Sequence, residues 1–260
     1  MTPIVDRSIR VVLFTSGPTL EYGVKRFMVC LEQEPEIELV AVFCQTARWG
    51  WWAAVQDRWR RRGLLAIPLL LANAGGHLLR FLQRPRQEMS LSRQLKQVRG
   101  RLHTIPNLHA ETVLAQIKQF DADLGLSYGS PILKPALFNL PRLGTLGIHH
   151  GKVPQYRGKK TAFWAMYNGE KTAGVTIQKI NAGLDTGEIV QEGEVIIGGR
   201  TPGQVWQALE QVGLDLYVQA ILQMKAGTAV LRPQTGPKGN LYRDPSLRDI
   251  FTLWARRAVR

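Results

Sequence analysis

The 260 residues, 45% hydrophobic and 21% charged, have the composition of a globular chain and exclude a disordered or collagen-like one. Two cysteines, Cys30 and Cys44, stand in apolar contexts without metal-ligand spacing, which excludes a disulfide scaffold and fits reduced core thiols in a cytoplasmic protein. The formal net charge of +14 asks for an acidic partner: nucleic acid, an anionic membrane surface or a phosphorylated substrate.

The chain runs directly into Ile9-Arg-Val-Val-Leu-Phe14, a strand-like segment with no leader pattern before it. Thr15-Ser-Gly-Pro18 reads as a turn, and Leu20, Val24, Phe27 and Leu31 recur at helical spacing before a second strand, Ile37 to Phe43. This βαβ opening predicts a parallel sheet with right-handed crossovers. Its first turn lacks G-x-G-x-x-G, so no dinucleotide site is expected there.

From about 48 to 101 the rhythm breaks. Twelve Arg/Lys face only Asp57 and Glu88, so this section carries most of the net charge, and it also holds Trp49, Trp51, Trp52, Trp59 and the apolar run Leu64 to Leu71. That run is too short for a bilayer, which takes roughly 20 apolar residues. Arginines and tryptophans beside an apolar helix suit an interfacial membrane segment. The plainer reading is a helical insertion packed on its own domain with a solvated basic face.

The sheet pattern resumes at His103-Thr-Ile-Pro106, with a helix carrying Val113, Leu114, Ile117 and Phe120, and a strand over Asp123 to Tyr128. Gly129-Ser-Pro131 is a tight exit, and Leu146-Gly-Ile-His149 is the next strand. A helix over Thr161 to Asn168 and strands over Gly174 to Ile180 and Glu188 to Ile197 follow. Thr201-Pro202 begins a long helix, with Gly227 placed to end it. The tail is basic, and Leu247 to Arg260 reads as a short helix. The expected organisation is a domain over 1–200, interrupted by the insertion, with the helix and tail of 201–260 packed on it.

Of the five histidines, His149 stands out. It ends an apolar strand, precedes Pro154-Gln-Tyr-Arg-Gly158, and is followed by Asp185 between Gly183 and Gly187. The glycines permit a tight backbone path that brings a carboxylate close to a ligand. An imidazole and a carboxylate at a strand end are the parts of an acyl-transfer site.

These stretches carry a family resemblance. Gly147-Ile-His149-His-Gly151-Lys-Val-Pro154-Gln-Tyr156-Arg157-Gly158, then Asn168-Gly169, Gly174-Val-Thr176 and Gly183-Leu-Asp185-Thr-Gly187, resemble the folate-dependent formyltransferases. That family shows N-x-H-x-S-L-L-P-x-Y-R-G, G-V-T and G-L-D-T-G. The resemblance is specific over about 123–200 and implies a Rossmann-like α/β fold with a mostly parallel twisted sheet flanked by helices. It implies 10-formyltetrahydrofolate as formyl donor and an amine as acceptor. His149 would polarise the formyl oxygen, and Asp185 would orient His149 and help remove the amine proton. The folate site would take in the loop Tyr128, Gly129, Ser130, Ile132 and Leu133, and the turn Gly183-Leu184. Gly147, His150, Gly151, Lys152, Tyr156, Arg157 and Gly158 form the expected substrate loop.

Among the departures from the pattern, Gly147 stands at the family's catalytic Asn and Gly151 at its Ser. Losing an oxyanion donor costs on the order of 100- to 1000-fold in rate, and His150, Lys152 or a water are the candidate replacements. The expected function is N-formyl transfer to a small, sugar or lipid-linked amine, without a metal. The alternatives are a catalytically weak binding protein that uses the basic insertion on a membrane or acidic partner, and a formyl-folate hydrolase. The tail Leu241 to Leu247 is similar to short family members without the extra tRNA-enzyme domain, which ranks tRNA below a small acceptor. The expected location is cytoplasmic, or peripheral to a membrane through the insertion.

Overall fold

A computed structural model describes residues 3–17, 20–46, 91, 94–95 and 97–258. Of the expected basic insertion, residues 48–90, 92, 93 and 96 therefore lie outside the described residues.

Seven strands form one sheet in the order β3-β2-β1-β4-β5-β7-β8. They are β1 (Ile9–Ser16), β2 (Ile37–Gln45), β3 (Leu102–Ile105), β4 (Leu124–Ser127), β5 (Thr145–His149), β7 (Thr172–Lys179) and β8 (Ile189–Ile196). The first five in that order run parallel, while β7 is antiparallel to β5 and β8 antiparallel to β7. The expected mostly parallel sheet with flanking helices is what forms. Strand β1 is apolar along most of its length because both faces are covered. Val11 and Leu13 meet helix α1 (Tyr22–Gln33), while Val12 and Phe14 meet α2 (Glu111–Gln119) and the single turn α3 (Pro135–Phe138).

The order in which strands are added reverses between β1 and β4, next to the middle of the sheet. Ligand crevices open at the carboxyl ends of strands at such a switch point. Two long-range ties fix the middle of the sheet. Asp123, 2% exposed, accepts from both Arg7 Nη atoms at 2.6 and 2.9 Å and from the Arg10 amide at 3.0 Å, before β4 begins. Tyr217 donates from its hydroxyl to the Leu146 carbonyl at 2.7 Å and accepts from the Ser127 amide at 3.0 Å, joining β4 to β5 near the site.

Tyr217 belongs to α5 (Pro202–Ala226), whose start and end match the sequence. Thr201 and Gln204 form a reciprocal capping box, Pro202 opens the helix, and Gly227 ends it at φ 69°, where a side chain would be strained. Its inner face buries Leu214, Ala220, Ile221 and Met224 against α1 and the sheet. Two three-residue strands were not expected: β6 (Tyr156–Gly158) pairs in parallel with β9 (Asn240–Tyr242) in a separate small sheet. Helix α4 (Thr161–Tyr167) follows β6, and the chain closes with α6 (Leu247–Ala258), whose Leu253 is buried against it. Among the described residues no helix is long and apolar enough to cross a membrane, and no cluster of three or more His, Cys, Asp or Glu is placed to hold a metal ion.

Candidate active site

His149 is the last residue of β5 and is 8% exposed. Its Nε2 lies 2.7 Å from the Tyr156 carbonyl. A carbonyl can only accept, so Nε2 carries the hydrogen and Nδ1 of the neutral ring is left as an acceptor. Nδ1 stands 3.5 Å from Asp185 Oδ1, beyond a good hydrogen bond. Burial holds the His149 imidazole below its ordinary value, against the pull of the Asp185 carboxylate. Two acceptors thus face each other across a gap that a proton can bridge.

The Pro/Gly loop must come close for this to happen. A Cβ at Gly151 would stand 2.4 Å from His149 Nε2 and 2.5 Å from the Tyr156 oxygen, so glycine is what lets the ring and the carbonyl meet. The same loop then holds Asp185: the Gly158 amide donates to Asp185 Oδ2 at 2.7 Å. Asp185 itself has φ 51°, a left-handed conformation that aspartate tolerates better than most residues.

Two glutamines complete the turn, and both were missed in the sequence. The Gly187 amide donates to Gln178 Oε1 at 3.1 Å, and Gln178 Nε2 approaches Asp185 Oδ1 at 3.5 Å. Gln234 Nε2 reaches the carbonyls of Gly187 at 2.8 Å and Asp185 at 3.1 Å, and Gln178 Oε1 at 3.3 Å. A polar residue in an alternating strand reads as solvent-facing. Here the polar side of β7 is covered instead, with Thr176 1% and Gln178 4% exposed.

A cavity of about 380 Å³ opens beside this pair, with Asp185 on its wall. The expected folate residues Gly129, Ser130, Ile132, Leu133, Gly183 and Leu184 all line it, as do Gly147 and Gly158 of the expected substrate loop. Tyr128 does not. Its ring stacks on Phe27 with centroids 5.5 Å apart, and its hydroxyl donates to Glu210. Being buried and beside that carboxylate, the phenol is pushed far above its usual range.

Four other loop residues also turn elsewhere. His150 points to the Tyr128 side, with Nε2 2.9 Å from Glu210 Oε2 though not aligned as a hydrogen bond, and its ring 4.3 Å from that of Trp206. Lys152 pairs with Glu194 on the rim of a second cavity of about 260 Å³, which Gly151 and Tyr156 also line. The Tyr156 ring stacks on Tyr242 and its hydroxyl donates to Glu170 at 2.7 Å. Arg157 lies in β6, outside the lining of either cavity. Neither His150 nor Lys152 lines the cavity of about 380 Å³, so neither stands where an oxyanion donor is needed.

A Cβ at Gly147 would sit 2.6 Å from the terminal methyl of Ile180, so a side chain there requires that methyl to turn aside.

A family model described as formyl transferase matches residues 79–221. Methionyl-tRNA formyltransferase of Cyanothece sp. is 35% identical over 149 residues, 56% of this chain and 44% of that protein. The match thus spans less than half the length of that relative. Glycinamide ribonucleotide transformylase 1 from Symbiobacterium toebii aligns with a TM-score of 0.58 at 17% identity, covering 88% of this chain and 95% of the other. A sugar N-formyltransferase from Shewanella sp. gives 0.57 at 17% identity, covering 94% and 86%. At such identities the likeness is one of fold.

Proposed function

This chain belongs to the formyl transferase family, and from that premise we propose that it moves a formyl group from 10-formyltetrahydrofolate to an amine of a small, sugar or lipid-linked metabolite. The observation that carries the proposal is the His149–Asp185 pair, 3.5 Å apart, with Asp185 on the wall of a cavity of about 380 Å³. Such a volume falls within the range of small-ligand sites. Leu133, Ile180 and Leu184 give the cavity apolar walls, and Ser127, Ser130 and Asn181 give it polar groups. That mixture fits a flat heterocycle with polar edges.

In this reading His149 is neutral at the start, because burial disfavours its charged form. The attacking amine nitrogen forms a bond to the formyl carbon, and the carbonyl π pair moves to oxygen. His149 Nδ1 takes the proton the amine loses, and Asp185 stabilises the resulting imidazolium. The oxygen pair then re-forms the carbonyl, the bond to the donor nitrogen breaks with its pair, and His149 returns the proton to that nitrogen. With Nε2 bound to the Tyr156 carbonyl, His149 can hydrogen-bond the formyl oxygen through Nδ1 only after it has gained this proton.

The acceptor class rests on analogy. The Shewanella protein is a sugar N-formyltransferase, whereas the Cyanothece relative acts on methionyl-tRNA by its name. A second reading, a formyl-folate binder or hydrolase that transfers poorly, is favoured by Gly147, which brings no side-chain donor to the cavity it lines. Incubating the purified chain with 10-formyltetrahydrofolate and a panel of amino sugars, amino acids and tRNA, and following tetrahydrofolate release, separates them. Amine-dependent release supports transfer, release without amine supports hydrolysis, and binding without release supports the weak binder.

A further inference from the structure

We propose that Gln178 donates the amide hydrogen bond to the oxygen of the transferring formyl group, in place of the side chain that Gly147 lacks. The inference rests on the formyl-transfer reading above and adds to it a residue that the family pattern does not supply.

The first ground is position. Gln178 is the register partner of Gly147 across the antiparallel β5–β7 pair. Directly opposed residues in such a pair project to the same face of the sheet. An amide on β7 at this place therefore emerges beside the point where one on β5 would have emerged. Both residues line the cavity of about 380 Å³.

The second ground is orientation. The two ends of a glutamine amide are told apart only by their partners. Here the partner decides, because the Gly187 backbone amide can only donate and lies 3.1 Å from Gln178 Oε1. Gln234 Nε2 adds a second contact to the same oxygen at 3.3 Å. The Nε2 end must then face Asp185 and the His149 pair, and it reaches Asp185 Oδ1 only at 3.5 Å. Two N–H donors on a side chain 4% exposed share one long contact. Buried amide donors ordinarily find closer partners, so this one has hydrogen-bonding capacity left for a ligand oxygen.

The third ground is elimination among the described residues. Ser127 and Ser130 bond to each other at 2.6 Å, and Ser130 Oγ also lies 3.0 Å from the Pro131 carbonyl. Asn181 Nδ2 donates to the Thr186 carbonyl at 3.0 Å. His150 and Lys152 lie outside the lining of this cavity. Thr186 Oγ1 donates to Asn181 Oδ1 at 2.9 Å, and the exposed Lys159 ammonium lies 3.7 Å from Asp244, which leaves Gln178 as the buried lining side chain whose amide faces Asp185.

In the step itself, the carbonyl π pair moves to the formyl oxygen as the amine bond forms, and the Gln178 N–H groups stabilise the charge that develops there. No proton is transferred by Gln178, and the pair returns when the donor C–N bond breaks.

The test uses the full chain and two folate analogues, one bearing an aldehyde that hydrates to a gem-diol at the formyl position and one bearing a methylene there. Their affinities are read by calorimetry in the wild type, in Gln178→Leu and in Gln178→Glu at neutral pH. The glutamate keeps oxygen acceptors for Gly187 and Gln234 but has no N–H to give. In both variants the gem-diol analogue should weaken at least tenfold while the methylene analogue changes less than twofold, and in active protein kcat should fall on the order of 100- to 1000-fold. Equal loss for both analogues would make Gln178 a structural support only, and no loss in either variant would overturn the proposal outright. A wild type that binds neither analogue would instead sink the formyl-transfer reading itself, before any substitution is compared.

Discussion

The carbonyl of Tyr156 stands 2.7 Å from Nε2 of His149, so the loop after the histidine turns back and decides which ring nitrogen carries the proton. The bond reads the backbone of Tyr156, while its ring is occupied with Tyr242 and Glu170. This one contact leaves Nδ1 as an acceptor towards Asp185 and makes His149 a base before it is an acid.

The first prediction follows from its burial, which pushes the imidazole below the ordinary value of about 6.5. The acid limb of kcat/KM should fall at lower pH than a free imidazole would give. Stability has a matching sign: the unfolded chain takes up this proton near the ordinary value while the folded chain resists. The contribution is full above that value and is lost as pH falls towards the folded value. Urea melts of wild type and His149→Phe from pH 7.5 to 5 should show the wild type losing stability faster. Parallel curves would contradict it.

Asp185→Asn should lower kcat by on the order of 100-fold, the usual worth of a general acid–base partner. The asparagine oxygen can still accept from the Gly158 amide, now 2.7 Å from Oδ2, so unfolding free energy should change by only about 1 kcal/mol. Steady-state rates with parallel thermal melts check both halves.

Gly151→Ser restores the residue of the family pattern and should still do harm. The new Cβ would begin 2.4 Å from His149 Nε2, so the ring or the Tyr156 carbonyl must move. Overpacking of this kind costs roughly 1–3 kcal/mol, and kcat should drop more than KM rises. A serine variant as active and as stable as wild type would show that the loop relaxes freely.

Tyr217→Phe tests the tie between the long helix and the strand ends. It would leave the Ser127 amide and the Leu146 carbonyl without their 3.0 and 2.7 Å partner. The expected loss is about 1–3 kcal/mol, measured by denaturant unfolding, with a smaller effect on KM.

Much of this architecture was legible in the sequence because its signals are local. The apolar runs at Ile9 and Ile37, the Thr201-Pro202 start and the Gly227 stop each depend on neighbouring residues, and each was found within a few positions. The family resemblance was likewise carried by short motifs. What stayed hidden depends on contacts between distant residues. Strands β6 and β9 have three residues each and pair across more than eighty positions, too short for any periodicity to register. Tyr128 sits at the end of an apolar strand, and nothing in its neighbours tells which face its ring will take. Gln178 lies on the polar side of a clear alternation, and only the covering loop makes that side an interior. Its glutamine partner, Gln234, sits in a basic tail that reads as surface.

The pairing of β6 with β9 gives the end of the chain an unexpected duty. Gly158, whose amide fixes Asp185, is itself clasped by Tyr242, with φ 92° and a Cβ position only 2.2 Å from the Tyr242 oxygen. The last stretch of polypeptide is thus a buckle on the reactive loop, and trimming it or fusing a bulky tag close behind it would loosen chemistry taking place some eighty residues upstream.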